Sequence, residues 1–195
     1  MSLEVNFGWY LIGFLILTIL YGITLYNRFV ALRNNVGKAW SNIDVILKQR
    51  YEEIPKLVET CKAYMGYESG LLENITALRE TAEKARKDGV IESLANSEGL
   101  LLQAMEALRI RAEAYPDLKA SESFGRLSHR ISTLEDIIAD RREFYNDSVT
   151  LNNIKTEKFP DLLVARMFGF SKEKFFSITA ELRADIDLGS LFDQE

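Results

Sequence analysis

The stretch FGWYLIGFLILTILYGITLY, residues 7–26, carries no charged side chain and decides the architecture of this chain. About 20 apolar residues are enough to cross a bilayer as a helix. Because backbone N–H and C=O groups must pair internally in lipid, the stretch predicts a membrane-spanning helix. Aromatic side chains, which favour the membrane–water interface, stand near both of its ends. The side chains that we assign to this anchor are Phe7, Trp9, Tyr10, Leu15, Tyr21 and Tyr26.

The residues on either side of the stretch predict whether it is cleaved as a signal peptide and how it is oriented in the membrane. MSLEVN, which precedes it, has no basic residue, and no small-residue cleavage site follows it, so we expect a retained anchor and not a signal peptide. Arg28, Arg33 and Lys38 come next, before any acidic residue. Since basic residues favour the cytoplasmic side, we expect the N-terminus outside, and the body in the cytoplasm, of a plasma or inner membrane.

Beyond Tyr26, a seam of apolar residues at steps of three and four continues the helix. Such spacing marks one face of a helix that packs against others, as in coiled coils. We therefore predict one nearly continuous helical element over residues 7–65, which Pro55 kinks but does not end. The seam consists of Phe29, Leu32, Val36, Trp40, Ile43, Leu47, Ile54, Leu57 or Val58, Cys61 and Met65.

Three further helices follow from apolar periodicity and from turn signals. We expect them near residues 71–88, 91–115 and 123–158, with a linker at 116–123. Because the connections are short, neighbouring helices should be antiparallel. The expected fold is all-α, with an N-terminal transmembrane helix that continues into an antiparallel four-helix bundle. Two of the bundle helices are long and two are shorter.

Composition and charge limit the class of protein. Of 195 residues, 47% are hydrophobic, 27% are charged and only three are proline, which suits one helical domain beside the anchor. The net charge of −5 argues against nucleic acid as a partner. The only cysteine, Cys61, lies on the apolar seam, so we interpret it as a small buried hydrophobe and not as a reactive thiol.

The C-terminal residues divide into an aromatic, mildly basic segment at 159–176 and an acidic tail at 177–195. Since the antiparallel helices return the chain to the bilayer at Phe159, we expect the segment beside the start of the first bundle helix. There it would contact the lipid interface or a neighbouring copy. The expected order is an external N-terminus at 1–6, the transmembrane helix at 7–26, a cytoplasmic bundle at 27–158, the membrane-proximal segment and the tail. The segment contains Phe159, Leu163, Met167, Phe168, Phe170, Phe175 and Phe176.

Motifs for catalysis, cofactor binding and metal binding are absent from the sequence. G-x-S-x-G, G-x-x-x-x-G-K-[ST] and G-x-G-x-x-G do not occur. The single histidine, His129, has no second ligand beside it in the sequence and therefore predicts no metal site. We assign no catalytic, cofactor-binding or metal-binding residue and expect a protein that is not an enzyme.

Polar residues beside the seam form the remaining candidate site. If the two long helices pair antiparallel, facing residues have numbers that sum to about 184. This register places Asp44 opposite Arg141 or Arg142, and Trp40 near Tyr145. Two interpretations stay open, namely a buried polar network that holds the helix register and a patch that recognises a partner. The candidate residues are Trp40, Asn42, Asp44, Arg141, Arg142, Tyr145 and Asn146.

The order of these features resembles the LemA family. After the anchor come YNRFVALRNNVGKAWSNIDVILKQRYEEIPKLVETCKAYMGYE at 26–68, LEDIIADRREFYNDSV at 134–149 and KFPDLLVARMFGF at 158–170. The chain departs from the family pattern at Leu151-Asn152, where Tyr-Asn is common, and at residues 121–124. The resemblance implies a membrane-anchored antiparallel helical bundle with its N-terminus outside. It covers nearly the whole chain up to Phe176 and is carried by Ala39-Trp40, Ile43-Asp44-Val45, Ile54-Pro55, Arg142, Tyr145-Asn146 and Phe159-Pro160.

The function that we expect is a membrane-anchored scaffold or adaptor that is not an enzyme. It would present a rigid cytoplasmic bundle to partners or to other copies of itself. Some proteins of the family are associated with magnetosome membranes and others are encoded beside a membrane zinc protease. An adaptor or regulator of a membrane-bound protease is therefore a second hypothesis, and an enzyme with an unrecognised cleft is a third. The expected partners are the membrane, other copies in a homo-oligomer, and a membrane protein such as a protease, with no cofactor.

Overall fold

The computed structural model describes residues 2–66 and 68–178, with side chains from Gly8 onward. Within these residues all regular secondary structure is helical, which confirms the all-α fold. The two long and two shorter helices that the sequence predicts are present, together with two short ones. The helices are α1 (Ser2–Lys62), α2 (Ser69–Asp88), α3 (Ile91–Ala112), α4 (Pro116–Lys119), α5 (Glu122–Glu157) and α6 (Asp161–Phe168).

Helix α1 runs without a break from the apolar stretch into the packed part of the protein. Every large apolar side chain between Trp9 and Ile23 is exposed, whereas Leu25 and Phe29 are buried. Within the described residues α1 is the one helix long and apolar enough to cross a membrane, with a mean hydropathy of 1.9 over its most apolar window. The helix also continues through Pro55, as predicted, and the Tyr51 carbonyl, which loses its N–H partner at Pro55, accepts a hydrogen bond from Arg79 of α2 at 3.0 Å.

The chain forms two compact units, to which α1 and α5 each contribute residues. The first unit contains the residues up to Ala39 together with Asn146–Glu173. The second contains Trp40–Tyr145 together with the residues from Lys174 onward.

The first unit packs α6 and the residues that follow it against α1 and the end of α5. Its buried residues include Phe29 and Val36 of α1, Val149 of α5 and Ala165 of α6. Gly169 ends α6 in the left-handed conformation, at φ 71°, which a residue with a side chain rarely adopts. The next N–H, of Phe170, bonds to the Ala165 carbonyl at 2.9 Å, so the chain turns sharply at this point.

The second unit is the main helical core. Helices α2 and α3 form a hairpin at Gly89, which lies at φ 69° and closes α2 after Asp88, where the sequence predicts the end of this helix. The contact between Trp40 and Tyr145 agrees with the antiparallel register that we predict for α1 and α5. The buried side chains at this core include Ile43, Leu47, Ile54, Leu72, Ile75, Leu94, Leu101, Leu108, Ile131 and Leu134.

The structure differs from the sequence prediction mainly in the short elements. Helix α4 lies in the predicted linker, where Pro116 begins it without losing an intrahelical hydrogen bond and Leu118 buries its side chain completely. Helix α6 lies within the segment that we predict only as aromatic and basic. Helix α3 ends at Ala112 and not at Tyr115, because the next three N–H groups bond three residues back.

Candidate functional site

The predicted anchor residues lie on the exposed apolar part of α1. Trp9, Tyr10, Leu15 and Tyr21 are each more than half exposed. Exposing large apolar side chains to water is unfavourable by about 1.5–3 kcal/mol each, a cost that surrounding lipid removes. Tyr26 is less exposed than these four residues and lies where α1 enters the packed part of the first unit. The side chain of Phe7 lies outside the described residues.

Two phenylalanines of the C-terminal segment contact α1 within the first unit. The Phe170 ring stacks on Phe29, with ring centres 4.9 Å apart and planes at 16°. The Phe168 ring meets Tyr26 edge-on at 4.8 Å, and Phe170 lies 5.8 Å from the same tyrosine. The segment therefore lies beside the start of the bundle part of α1, where the helix count predicts it. Contact of the segment with lipid or with a neighbouring copy stays a prediction.

The exposed surface of α6 carries large apolar side chains beside Arg166. Leu163 and Met167 are one turn apart, so they share one side of the helix, and they are 58% and 78% exposed. Phe159, which precedes the helix, is 73% exposed. Asp161 and Ala165 are buried on the other side. Soluble monomers rarely expose large contiguous apolar patches, so this face is a candidate interaction surface.

A groove of about 280 Å³ separates α1 from the end of α6 in the first unit. Arg33 stands in this groove, and neither a hydrogen bond nor an ion pair joins it to another residue that the structure describes. By contrast, Lys155 pairs with Asp161 at 3.3 Å and so is already neutralised within the unit. The groove is lined by Tyr26, Val30, Arg33, Asn34, Phe168 and Phe170.

Side-chain amides of α5 hold the chain that follows α6. Asn153 makes two hydrogen bonds to the backbone of Glu173. Its amide nitrogen donates to the carbonyl at 3.0 Å, and its Oδ1 accepts from the N–H at 2.9 Å. The Asn152 amide donates to the Ser171 carbonyl at 3.1 Å. The asparagines therefore replace the pairing that a strand or helix would otherwise give this extended backbone.

An aromatic cluster in the second unit contains the last phenylalanine of the segment. The Trp40 ring lies 5.6 Å from Tyr145 and 5.8 Å from Phe176. The Tyr145 hydroxyl donates to the Lys174 carbonyl at 2.9 Å. Phe176 is fully buried and Phe175 is 47% exposed. Phe176 therefore packs against Trp40 and is not open to lipid, and the place of the segment near the membrane stays a prediction.

The structure brings together only part of the predicted polar patch. Trp40 and Tyr145 are in contact, but Asp44 pairs with Arg86 of α2, at 2.7 Å between Oδ1 and Nη1. Asp44 does not reach either arginine of α5, because α2 packs beside α1 at this height. The other members of the patch differ in exposure: Asn42 and Arg141 are exposed, and Arg142 and Asn146 are half-buried.

A buried ionic cluster in the second unit is missing from the sequence prediction. The Arg50 guanidinium and the Tyr51 hydroxyl both donate to the carboxylate of Glu98, and the side chains of Arg50 and Glu98 are 1% exposed. Arg79 adds a hydrogen bond to the Tyr51 carbonyl at 3.0 Å. The cluster joins α1, α2 and α3 at one height. It had a signal in the sequence, since Glu98 falls between Leu94 and Leu101 on the inner face of its helix.

The electrostatics of this cluster favour an ion pair. Burial is the largest single effect and lowers the pKa of Arg50, but attraction to Glu98 and other neighbouring groups, together with the hydrogen bond to Glu98, raises that pKa above its ordinary value. Burial raises the pKa of Tyr51 strongly, and the neighbouring Glu98 charge raises it further. Arg50 therefore stays charged and Tyr51 stays neutral at physiological pH. The cluster fixes how the helices pair and leaves no free nucleophile or base.

The remaining titratable candidates offer little for catalysis. Burial raises the pKa of the Cys61 thiol to about 11, so the reactive thiolate is scarce at neutral pH. His129 is exposed on α5. Across residues 8–66 and 68–178, no group of three His, Cys, Asp or Glu side chains lies close enough to hold a metal ion.

Among known proteins, several magnetosome proteins are similar to this chain. It is 24% identical over 174 residues to magnetosome protein MamQ 2 of Paramagnetospirillum magneticum, and 22% identical over the same length to MamQ of Magnetospirillum gryphiswaldense. Each match covers 77% of this chain and 64% of the relative. The chain thus spans less than two thirds of the length of these relatives.

A further relative and a family model agree on one family. Protein LemA of Metamycoplasma hominis is 28% identical over 165 residues, which cover 85% of this chain and 74% of the relative. The LemA family model matches residues 39–188, most of the chain. The matched region begins at the last residue that α1 contributes to the first unit and includes α2 to α6. The chain is a member of the LemA family.

Proposed function

We propose that this protein is a membrane-anchored scaffold or adaptor and not an enzyme. Its α1 helix spans a bilayer near the N-terminus, and its helical bundle binds partners or other copies of the chain. The observation that carries the proposal is the continuity of α1. The same helix supplies the exposed apolar run that ends at Ile23 and the buried residues from Phe29 to Cys61. An enzyme that only needs to stay near a membrane could be joined to its span by a flexible linker. A span that continues as a bundle helix instead favours a scaffold, because it holds the bundle at a fixed place beside the membrane.

The packing of the second unit supports a rigid bundle as the part that binds partners. The buried cluster of Arg50, Tyr51 and Glu98 holds α1 against α3, and Asp44 with Arg86 holds α1 against α2. A polar pair in a helical core favours one register over others. A bundle with one fixed register presents the same outer surface in every copy, as a scaffold requires.

The orientation of the span belongs to the same proposal. Arg28, Arg33 and Lys38 are exposed on α1 just beyond the apolar run, and basic residues at this position favour the cytoplasmic side. The bundle then lies in the cytoplasm and the N-terminus lies outside the plasma or inner membrane. MamQ relatives are named magnetosome proteins, and this supports a membrane as the place of action here as well.

Cross-linking in intact membranes tests the proposal. The full chain is cross-linked in its own membranes, purified in mild detergent and analysed by mass spectrometry. A scaffold or adaptor yields a ladder of its own multiples or a partner in fixed ratio. Recovery of only uncross-linked monomer at every cross-linker concentration would contradict the proposal. A membrane protease recovered reproducibly would favour the protease adaptor as the specific role.

A matched control separates the bundle from the span. In the control, residues 7–26 are replaced by a run of leucines of the same length, which keeps an apolar helix and removes its specific side chains. If the bundle makes the contacts, the cross-linked products stay unchanged. Their loss would assign the association to the span, where Thr18 and Gly22 form a small-xxx-small pair.

A further inference from the structure

We propose that the groove around Arg33 binds the phosphate of an anionic phospholipid from the leaflet that α1 enters. The inference rests on the proposed anchoring by α1 and names a ligand for the surface beside the span. The groove lies wholly within the first unit, between α1 and the residues at the end of α6.

The position of the groove along α1 matches the headgroup layer. Tyr26, Val30 and Arg33 follow at steps of four and three, so they share one helix face, and Tyr26 is the last residue of the uncharged run. Arg33 is seven residues further, about 10 Å along the axis. The headgroup layer extends about 5–8 Å beyond the hydrocarbon. Long side chains on a helix point back toward its N-terminus, so the guanidinium of Arg33 leans toward the bilayer.

The chemistry of the groove suits a phosphate. Arg33 is exposed, and no described residue supplies an anion for it. A guanidinium presents a planar fork of donors that matches two phosphate oxygens. The side chain of Asn34 lies in the same groove and offers further donors. Arg28 and Lys38 are also exposed on this part of α1, but neither lines the groove, so Arg33 is the cation that the groove presents to a ligand.

The walls of the groove favour a lipid over a free anion. Val30, Phe168 and Phe170 line it with apolar surface, which inorganic phosphate cannot use. The exposed Leu163 and Met167 of α6 belong to the same unit as the groove and lie on the helix that ends at the groove-lining Phe168. A phospholipid supplies an anionic phosphate and apolar chains in one molecule. Charge and apolar contact therefore favour the same ligand.

Native mass spectrometry of the full-length chain released from detergent tests this inference. Phosphatidylglycerol and phosphatidylcholine with the same acyl chains are titrated separately, and the bound fraction of each is measured. The wild-type chain should prefer phosphatidylglycerol. Arg33→Gln should reduce that preference by about tenfold, a typical loss for one charge-assisted hydrogen-bonded contact. Arg33→Lys should retain part of it, because the point charge remains and the planar fork is lost.

Lys38→Gln is the matched control. Lys38 is an exposed cation on the same helix and in the same unit, but it does not line the groove. Its removal should leave the preference unchanged. Equal binding of the two lipids by wild type, or equal losses in Arg33→Gln and Lys38→Gln, would overturn the inference. Displacement of the bound lipid by millimolar inorganic phosphate would also overturn it in favour of a free-anion site.

Extraction of native membranes with alkaline carbonate tells the two proposals apart. If wild type is released from the membrane, the proposed anchoring fails, whatever the lipid titration gives. If wild type stays in the membrane but shows no lipid preference, only the groove proposal fails. The helical circular dichroism of Arg33→Gln should equal that of wild type, since the replaced side chain is exposed.

Discussion

Arg50 and Glu98 occupy core positions that apolar periodicity alone assigns to hydrophobic residues. Arg50 falls between Leu47 and Ile54 on the seam of α1, and Glu98 falls between buried leucines of α3. Burying one charge alone would be costly, but the two meet and share the Tyr51 hydroxyl. Such a pair adds little net stability over an apolar pair of similar volume, and its value lies in specifying the register.

Removing one member of the pair should therefore be costly. Glu98→Ala leaves the Arg50 guanidinium buried without a partner, and we expect it to lower the free energy of unfolding by about 3–5 kcal/mol. Glu98→Gln keeps an acceptor in place and should cost less. Chemical unfolding of the full chain in mild detergent, followed by helical circular dichroism, measures both.

Glu92→Ala is the control for this prediction. Glu92 lies on the same helix, and its ion pair with Lys174 is exposed, so the loss should stay below about 1 kcal/mol. Equal losses for Glu98→Ala and Glu92→Ala would mean that the buried pair does not order the core.

The buried thiol of Cys61 predicts that the stability of the folded protein falls at high pH. Burial raises the pKa of its thiol to about 11 in the folded protein, above the ordinary value of about 9. The unfolded chain therefore loses this proton first, and the contribution of the thiol to stability falls as pH rises from about 9 through about 11. Cys61→Ala should lack this part of the decline. The measurement is the difference in unfolding free energy between wild type and Cys61→Ala across that range. A constant difference would contradict the raised pKa.

At the scale of elements, the long helices can be predicted from the sequence and the short ones cannot. Ile43, Leu47, Ile54 and Cys61 of α1 recur at helical steps, and all four are buried as the seam predicts. Helices α4 and α6 have four and eight residues. One or two turns do not repeat a pattern often enough to reveal a period, so tertiary contacts such as the burial of Leu118 decide them.

The contacts between helices can also be predicted only in part from the sequence. Periodicity tells which face of a helix is inside, but it does not tell which of two neighbours a polar side chain meets. For this reason Trp40 meets Tyr145 as predicted, whereas Asp44 meets Arg86 of α2 and not an arginine of α5. The sequence also does not predict the hydrogen bonds of the Asn152 and Asn153 side chains. Their partners are backbone groups about 20 residues away, which no sequence pattern marks.

The segment after α6 should depend on Asn153. Asn153→Ala removes both hydrogen bonds to the Glu173 backbone and leaves a part-buried N–H and C=O without these partners. We expect faster amide hydrogen exchange at residues 170–174, with α2 and α3 unchanged, measured by mass spectrometry. Thr150→Ala is the control, since the exposed Thr150 hydroxyl bonds only within its own helix. Equal exchange in the two variants would show that the ring contacts of Phe170 hold the segment without the asparagine.

At the scale of the whole molecule, the family and the fold class could be predicted, while the partner could not. The apolar run, the seam and the motif around Ala39-Trp40 predict a helical bundle that continues from an apolar helix, because helix formation and burial depend on local pattern. Partner choice depends on the shape and charge of the assembled surface. The exposed Leu163 and Met167 of α6 are an example, since which side of this short helix faces outward is decided by its packing in the first unit.

We propose that three basic residues set the orientation of the molecule in the membrane. Arg28, Arg33 and Lys38 lie within the distance from the apolar run at which basic residues set topology. If the bundle lies in the cytoplasm as proposed, a green fluorescent protein fused after residue 195 should be fluorescent, and alkaline phosphatase at the same point should be inactive. Replacing all three residues with Gln and adding lysines before Phe7 should reverse both reporters in a large share of molecules.

The control for the topology test neutralises three other exposed cations, Lys62, Lys84 and Lys87. These residues lie more than about 20 positions past the run, beyond the range over which basic residues act on the span, so the reporters should not change. Active phosphatase on the wild-type chain would place the bundle outside the cytoplasm. It would also move the Arg33 groove to the external leaflet, where the anionic lipid that we propose for it would have to be present.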